Sequence, residues 1–347
     1  MKEIIRKLTE CYGPSGHEEE VRALILSEVE KTGRSSRALE TKVDPLGSLI
    51  VRRKGAGGGR RVMLAAHMDE IGVVVTHVDQ KGFLRFGSVG GVRLLPLAGG
   101  RVRFAGGVTG VIGLEKLEDN GKIPALDKFY IDVGAAGRDS CPVKVGDVGC
   151  FSRPCEEMGD RIVAKAMDDR IGCAVLLQVL KELGKTPHDI SFVFTVQEEV
   201  GLRGAVTSGY GAEPEIALAV DVTLTGDTPE CPPMAVELGA GPAIKIKDGG
   251  MLAHAGVKNW LFSCAAAAGI PFQREVLVAG TTDASAIQTT RSGVPAGCVS
   301  IPTRYVHMPS EMVDFRDVQA AVKLIVSALS GPIDIGAHDG SPGGSPG

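Results

Sequence analysis

The chain has 347 residues, 44% of them hydrophobic and 23% charged, which is typical of a globular protein of about two domains. Aromatic residues make up only 4% and the formal net charge is −4, so we exclude nucleic acid and membrane surfaces as partners. The charged N-terminal segment lacks the apolar stretch of a secretory signal, no run is long enough to span a bilayer, and a cytoplasmic location is expected.

The start of the chain carries helical patterns followed by strand patterns. Apolar side chains recur at helical spacing over 2–10 and 17–32, which predicts two amphipathic helices. Strands are predicted over 40–52 and 61–66, with a glycine-rich loop between them.

The middle of the chain, from 70 to 160, has a different pattern. Short runs of Val, Ile, Leu and Phe alternate with glycine pairs and no helical period appears, which indicates a small β-barrel or sandwich. Strand and helix patterns alternate after it, as in a mixed or parallel sheet, so we interpret the β-rich block as an insertion. The prediction is an α/β domain formed by 1–69 and 161–335, an inserted domain over 70–160, and a disordered tail over 336–347.

Three predicted strands are followed by residues of the types that commonly bind metals. Apolar runs precede His67, a pair of glutamates and Asp221. Such runs are typical of buried strands in a parallel sheet. Because the ligand site of an open α/β sheet lies beyond the carboxyl ends of its strands, these side chains should meet in one crevice.

Two of the candidate segments can be interpreted in more than one way. His67 and Asp69 face the same side of an extended segment, so the carboxylate can accept a hydrogen bond from a metal-binding imidazole, although a polar turn would also explain the pair. Asp168 and Asp169 precede a helical pattern. One of them could bridge two metals, or both could be N-terminal helix caps.

The adjacent acids Glu198 and Glu199 are harder to explain by packing, because two neighbouring carboxylates at the end of an apolar strand are costly to desolvate. One would bind metal and the other would accept a proton from the attacking water. Asp221 lies within an apolar run and must be paired or bind a cation. A lone histidine is more often a structural residue than a metal ligand, so the ligand interpretation of His307 depends on the other candidates.

Together the candidate ligands comprise two histidines, two aspartates and one glutamate, a nitrogen and oxygen set that suits Zn²⁺, Co²⁺ or Mn²⁺. Five ligands are too many for one tetrahedral zinc and favour two cations with a bridging carboxylate. The eight cysteines form no CxxC pair, so free thiols are expected.

The motifs AAHMDEIG, KAMDDRIG and TVQEEVGLRGA, in this order, closely resemble those of the cytoplasmic co-catalytic metallo-aminopeptidases. That family includes the glutamyl and tetrahedral aminopeptidases, and some members carry the labels FrvX-like or endoglucanase M. The resemblance implies an α/β fold, a mixed-sheet zinc-peptidase domain of phosphorylase/hydrolase-like type with an inserted small β-barrel domain. The matching segments are 8–16, 65–72, 165–172, 195–205, 219–223, 279–288 and 293–313.

The resemblance also implies a role for each candidate residue. Two divalent ions per chain would be held, with Asp168 as the bridge, Glu198 as the general base and acid, and Asp69 as the partner of His67. Thr282 and Asp283 would line the approach of the substrate. The implied ligands are His67 and Asp221 for one metal, and Glu199 and His307 for the other.

The expected activity is removal of N-terminal residues from peptides by metal-activated water, in a homo-oligomer that is a dimer or a dodecamer. A metal-dependent deacylase or carboxypeptidase is the alternative. An endoglucanase is disfavoured because a glycoside hydrolase needs two carboxyl groups and no metal set. A non-catalytic binding module is disfavoured by the intact Glu198. One departure occurs at 114–120, where relatives have a Pro-Pro-His-like stretch, and it would affect substrate access or assembly contacts.

Overall fold

The computed structural model describes residues 1–33, 39–117 and 123–336. The tail predicted to be disordered lies outside the described residues except for Gly336, as does the end of the atypical segment at 114–120. No helix in the described part of the chain is both long enough and apolar enough to cross a membrane.

The chain begins with the two predicted helices and the first strands of the main sheet. The predicted strand over 40–52 is two strands joined by a turn, in which one carboxylate oxygen of Asp44 accepts hydrogen bonds from three following backbone N–H groups. This Asx-type turn explains the break. The elements are α1 (Lys2–Glu10), α2 (Glu19–Gly33), β1 (Leu39–Val43), β2 (Leu49–Arg53) and β3 (Arg61–His67).

Six strands then form a closed barrel in the order β4-β5-β8-β7-β6-β9. Alternate side chains point inward, as a small barrel requires, and Val73, Val102 and Ile131 are fully buried in its separate core. The barrel that the resemblance implied is therefore present. Its strands are β4 (Gly72–Val78), β5 (Leu84–Val89), β6 (Arg101–Phe104), β7 (Thr109–Leu114), β8 (Phe129–Asp132) and β9 (Val148–Phe151).

After the barrel the chain returns to the main sheet. The first strand of this part, β10 (Glu156–Met158), pairs with β11 (Arg161–Ala164) inside that sheet. The chain therefore re-enters the main sheet before residue 161, the predicted start of this part of the α/β domain. The exact domain limits remain a prediction. The further elements are α3 (Met167–Glu182), β12 (Asp189–Thr195), α4 (Arg203–Ala212), β13 (Ile216–Thr223), β14 (Ala243–Lys247), α5 (Ala255–Ala267), β15 (Gln273–Val276), α6 (Asp283–Gln288), β16 (Ala296–Arg304), β17 (Glu311–Asp314) and α7 (Phe315–Ser330).

The main sheet is mixed, with the order β1-β2-β12-β3-β13-β16-β17-β11-β10, and β14 and β15 attach beside β16. Strands β12, β3, β13 and β16 run parallel, and β13 is buried along its whole length. On β3, Leu64 faces the larger core under α1, α2, α3, α5 and α7, whereas Ala65 faces a smaller core under α4 and α6. Helices therefore cover both faces, and the carboxyl ends of the parallel strands share one edge.

Candidate metal centre

The predicted site residues converge at the carboxyl edge of the parallel strands. His67 ends β3 beside Thr195, the last residue of β12, and the paired glutamates follow in the next turn. Asp221 lies near the end of β13. Asp168 lies at the start of α3 and His307 in the loop after β16, so five segments of the chain bring their side chains to one place.

Asp168 lies between the two histidines and offers one oxygen to each. Its Oδ1 is 3.0 Å from Nε2 of His67, and its Oδ2 is 3.2 Å from Nε2 of His307. The same His307 nitrogen is 3.2 Å from Oε2 of Glu199. His67, Asp168 and Asp221 form one group of ligand atoms within 4.8 Å of one another, and Asp168, Glu199 and His307 form a second. The two groups share Asp168, as a bridging carboxylate would.

Charge in this cluster favours a cation. Burial raises the pKa of Glu198, Glu199 and Asp221 above the usual range of a carboxyl group. Burial has the same effect at Asp168, but hydrogen bonds from His307 and His67 outweigh it and hold the pKa of that carboxyl below its usual range. Glu199 Oε1 is a buried oxygen without a hydrogen-bond partner among the described residues. These donors fit divalent cations that prefer imidazole and carboxylate ligands.

Both candidate imidazole ligands have carboxylates close to them. Burial lowers the pKa of His307, yet Asp168 and Glu199 outweigh it and raise that pKa to about 11. Burial of His67 is likewise outweighed by Glu198 and Asp168, which raise its pKa. A histidine must be neutral to bind a metal, so a bound cation would displace these protons and take over the pairing with the carboxylates.

Asp69 lies beside His67, as expected, and makes further contacts as well. Nδ1 of His67 is 3.1 Å from the Asp69 backbone carbonyl and 3.4 Å from its carboxylate. The carboxylate also accepts hydrogen bonds from the backbone N–H groups of Glu198 and Glu199, at 2.9 and 3.2 Å, and from the Ser15 hydroxyl at 2.7 Å. Asp69 therefore contacts the imidazole through both its carbonyl and its carboxylate, and its carboxylate also holds the paired glutamates.

Glu18 continues this bracing, and sequence reasoning missed it. One oxygen of its buried carboxylate accepts hydrogen bonds from the N–H groups of Gly16 and Gln197, at 2.8 and 3.1 Å. Burial and the nearby charge of Asp69 raise the pKa of Glu18 to about 7. In the sequence Glu18 is one of three acids at the start of a helix, where acids are common, so nothing marked it as different.

Asp168 and Asp169 have different contacts, which separates the two interpretations that the sequence left open. The peptide bond between them is cis, and neither residue has helical backbone angles. Asp169 accepts hydrogen bonds from the N–H groups of Gly172 and His67, at 3.0 and 3.2 Å, so it caps the helix and ties it to β3. Asp168 is thereby free to face the candidate ligands.

The two residues expected along the substrate approach occupy different depths. Thr282 lines the cleft in front of the candidate ligands. Asp283 is buried behind it, where its carboxylate accepts a hydrogen bond of 2.5 Å from the Thr195 hydroxyl. Burial raises the pKa of Asp283 to about 6.

The cleft has a volume of about 600 Å³ and three kinds of wall. Four of the five candidate ligands line it together with Glu198, namely Asp168, Glu199, Asp221 and His307. Aliphatic side chains, including Leu224 and Leu277, form one side, and the barrel contributes Gly91 and Arg93. A predominantly apolar pocket with a few convergent polar groups is the usual form of a small-ligand site, and this volume suits a short peptide.

Comparison with known proteins agrees with this geometry. Residues 47–324 match the family described as M42 glutamyl aminopeptidase. A putative aminopeptidase of Acetivibrio thermocellus is 48% identical over 331 residues, which cover 95% of this chain and 98% of that protein.

Solved structures give the same result. The aminopeptidase APDkam598 from the archaeon Desulfurococcus kamchatkensis is similar with a TM-score of 0.90 and 41% identity, over 94% of each chain. The TET1 peptidase of Pyrococcus horikoshii, which can assemble into a tetrahedron or a large octahedral shell, has a TM-score of 0.82 and 32% identity, over 94% of this chain and 98% of that one.

Proposed function

The chain belongs to the M42 glutamyl aminopeptidase family and is a peptide hydrolase, and from this premise we propose that it removes N-terminal residues from peptides with two divalent cations, Zn²⁺ or Co²⁺ or else Mn²⁺. The observation that carries the proposal is the pair of ligand groups that share Asp168. His67 and Asp221 would hold one cation, and Glu199 and His307 the other. When bound, such cations polarise a scissile carbonyl and lower the pKa of water.

Glu198 is the residue assigned to proton transfer. It lines the cleft, its Oε2 is 3.9 Å from Nε2 of His67, and it belongs to neither ligand group. Its position is fixed from behind, because Asp69 accepts a hydrogen bond from its backbone N–H. Glu198 would take a proton from the attacking water and deliver it to the leaving amine, the role of a general base and then a general acid.

The proposed substrate is a peptide with a free α-amino group. The apolar wall of the cleft would receive the first side chain, and Thr282 lies beside that path. An amine must be neutral to bind a cation, so turnover should rise with pH as an α-amino group with a pKa of roughly 8 loses its proton.

The deciding experiment compares one dipeptide with and without an N-terminal acetyl group, using protein reconstituted with Zn²⁺ or Co²⁺. Acetylation removes the basic lone pair, so cleavage should fall by orders of magnitude. Faster cleavage of the acetylated form would instead indicate a deacylase. A protein that binds no divalent cation and is insensitive to a chelator would contradict the two-cation site.

We further propose that the protein is a homo-oligomer and that it acts in the cytoplasm. The assembly of the similar TET1 peptidase supports a homo-oligomer here, and light scattering of the purified protein would decide between a dimer, a dodecamer and a monomer. All eight cysteines are free thiols, which supports action in a reducing compartment such as the cytoplasm.

A further inference from the structure

Glu311 joins the two halves of the candidate metal centre from behind. Its Oε2 accepts a hydrogen bond of 3.0 Å from the backbone N–H of Asp168, and its Oε1 accepts one of 2.8 Å from the backbone N–H of His307. Only 2% of the residue is exposed, so water cannot replace either bond easily.

The fold explains why this one side chain reaches both segments. Glu311 is the first residue of β17 and pairs with Ala164 of β11, four residues before Asp168 in the chain. His307 precedes Glu311 by the same number of residues, in the loop that leads into β17. The carboxylate therefore lies between two loops that meet only in the folded protein.

The backbone at His307 needs such support. His307 has φ 63 and Tyr305 has φ 64, both in the left-handed region that residues other than glycine adopt rarely. Such a conformation persists only where the surrounding contacts hold it. The bond from the His307 N–H to Glu311 is a contact of this kind, and it helps to set the direction in which the imidazole points.

We infer that Glu311 is a positioning residue. It sets the separation of Asp168 and His307 and thereby raises the affinity for a cation of the second ligand group, which consists of Asp168, Glu199 and His307. It has no direct contact with a cation in this assignment and acts only through the two ligands. The inference rests on the proposed two-cation function but adds a residue outside its ligand set.

The test is Glu311→Gln, which keeps the size and shape of the side chain. An amide offers one acceptor oxygen where the carboxylate offers two, so its NH₂ group must face one of the two N–H donors. The matched control is Glu10→Gln, because one oxygen of Glu10 accepts the Cys155 N–H at 2.9 Å, away from the site, and the amide oxygen can replace it.

The measurement is calorimetric titration of the metal-free proteins with Zn²⁺ alone. Glu311→Gln should weaken the second binding step by roughly 10–100-fold, the usual cost of losing a partner that orients a metal ligand. Glu10→Gln should bind as wild type does. Peptidase activity of Glu311→Gln should then recover towards the wild-type value as Zn²⁺ is raised, which a general loss of packing would not allow.

An isotherm of folded Glu311→Gln that overlays the wild-type isotherm would overturn the inference. If Glu311→Gln does not fold, Glu311→Asp replaces it, because the shorter carboxyl group reaches only one of the two N–H groups. Unchanged Zn²⁺ affinity in folded Glu311→Asp would be equally contradictory. Failure of the wild-type protein itself to bind Zn²⁺ would instead refute the proposed function.

Discussion

The α/β sheet and the barrel contribute to the cleft in different ways. The sheet and the segments that follow its strands supply every candidate metal ligand as a side chain, and the strands that carry His67 and Asp221 are buried. The barrel approaches the same ligands with main chain, since the Gly91 carbonyl oxygen is 3.1 Å from Nδ1 of His307. The candidate ligands therefore come from the sheet region alone, whereas the shape of the cleft depends on both the sheet region and the barrel.

Glycine is what allows the barrel to come so close. A Cβ added at Gly91 would lie 2.6 Å from Nδ1 of His307, and one at Gly90 would lie 3.2 Å from Cβ of Glu199. Gly90 also has φ 75, which most side chains disfavour. The glycine pair that marked a turn in the sequence is therefore also the contact surface between barrel and site.

The largest effect is expected in the sheet, from Glu198→Gln. Turnover should fall by about 10²–10⁴-fold, the typical contribution of a positioned acid and base, while both cations remain bound. Glu199→Gln is the contrasting variant and should weaken binding of one cation. Steady-state kinetics and elemental analysis of both proteins make the comparison, and near wild-type turnover in Glu198→Gln would refute its assignment.

Removal of metal should separate the two regions. A cation present at 100 times its dissociation constant stabilises the folded state by about 2.7 kcal/mol, so chelation should lower the unfolding temperature. Hydrogen exchange measured by mass spectrometry should accelerate in the segments around Asp168 and His307, but not in β5 or β8 of the barrel. Equal acceleration in the barrel strands would mean that the regions respond as one unit.

A smaller but specific effect is expected from Gly91→Ala. The added methyl group must displace the His307 imidazole, so kcat/KM should fall by about tenfold, or about 1.4 kcal/mol. Gly137→Ala is the control within the barrel, because its Cβ would have no neighbour closer than 3.4 Å. If the two variants have the same activity, the barrel does not constrain His307.

The smallest effect concerns Arg93, the cationic side chain that the described residues of the barrel place at the cleft. Arg93 is exposed and has no salt-bridge partner within the described ranges, whereas Lys245 is buried and paired with Glu275. Arg93→Ala should raise KM for a free-acid dipeptide by roughly two- to fivefold, the range for an exposed ion pair. An amidated dipeptide is the control, and an equal effect on both would exclude a role for the peptide carboxylate.

Sequence reasoning predicted the part of the structure that depends on local pattern. The family, the peptide-hydrolase class and the α/β fold with a barrel are confirmed. The positions of His67 and Asp221 at or near strand ends followed from apolar runs, because a buried strand is an apolar run that stops where a polar residue follows. The assignment of individual ligands stays a prediction, although their side chains do meet.

Contacts that depend on distant segments could not be predicted in the same way. Glu18 and Glu311 are single acids whose partners are backbone N–H groups, and those groups leave no mark in the sequence. That Glu311 is buried at the start of β17, where its carboxyl group must find donors, is evident only from the structure. The further contacts of Asp69 depended on where the 197–199 turn folds, which no local pattern reveals.

The bracing of that turn has a consequence for anions. Three successive N–H groups at the end of a strand can form a small concave nest that binds phosphate or a developing oxyanion. Here the N–H groups of Gln197, Glu198 and Glu199 are all occupied by carboxylates of the protein itself. None of these three N–H groups is therefore left to bind an anion, so the turn does not act as an anion-binding nest.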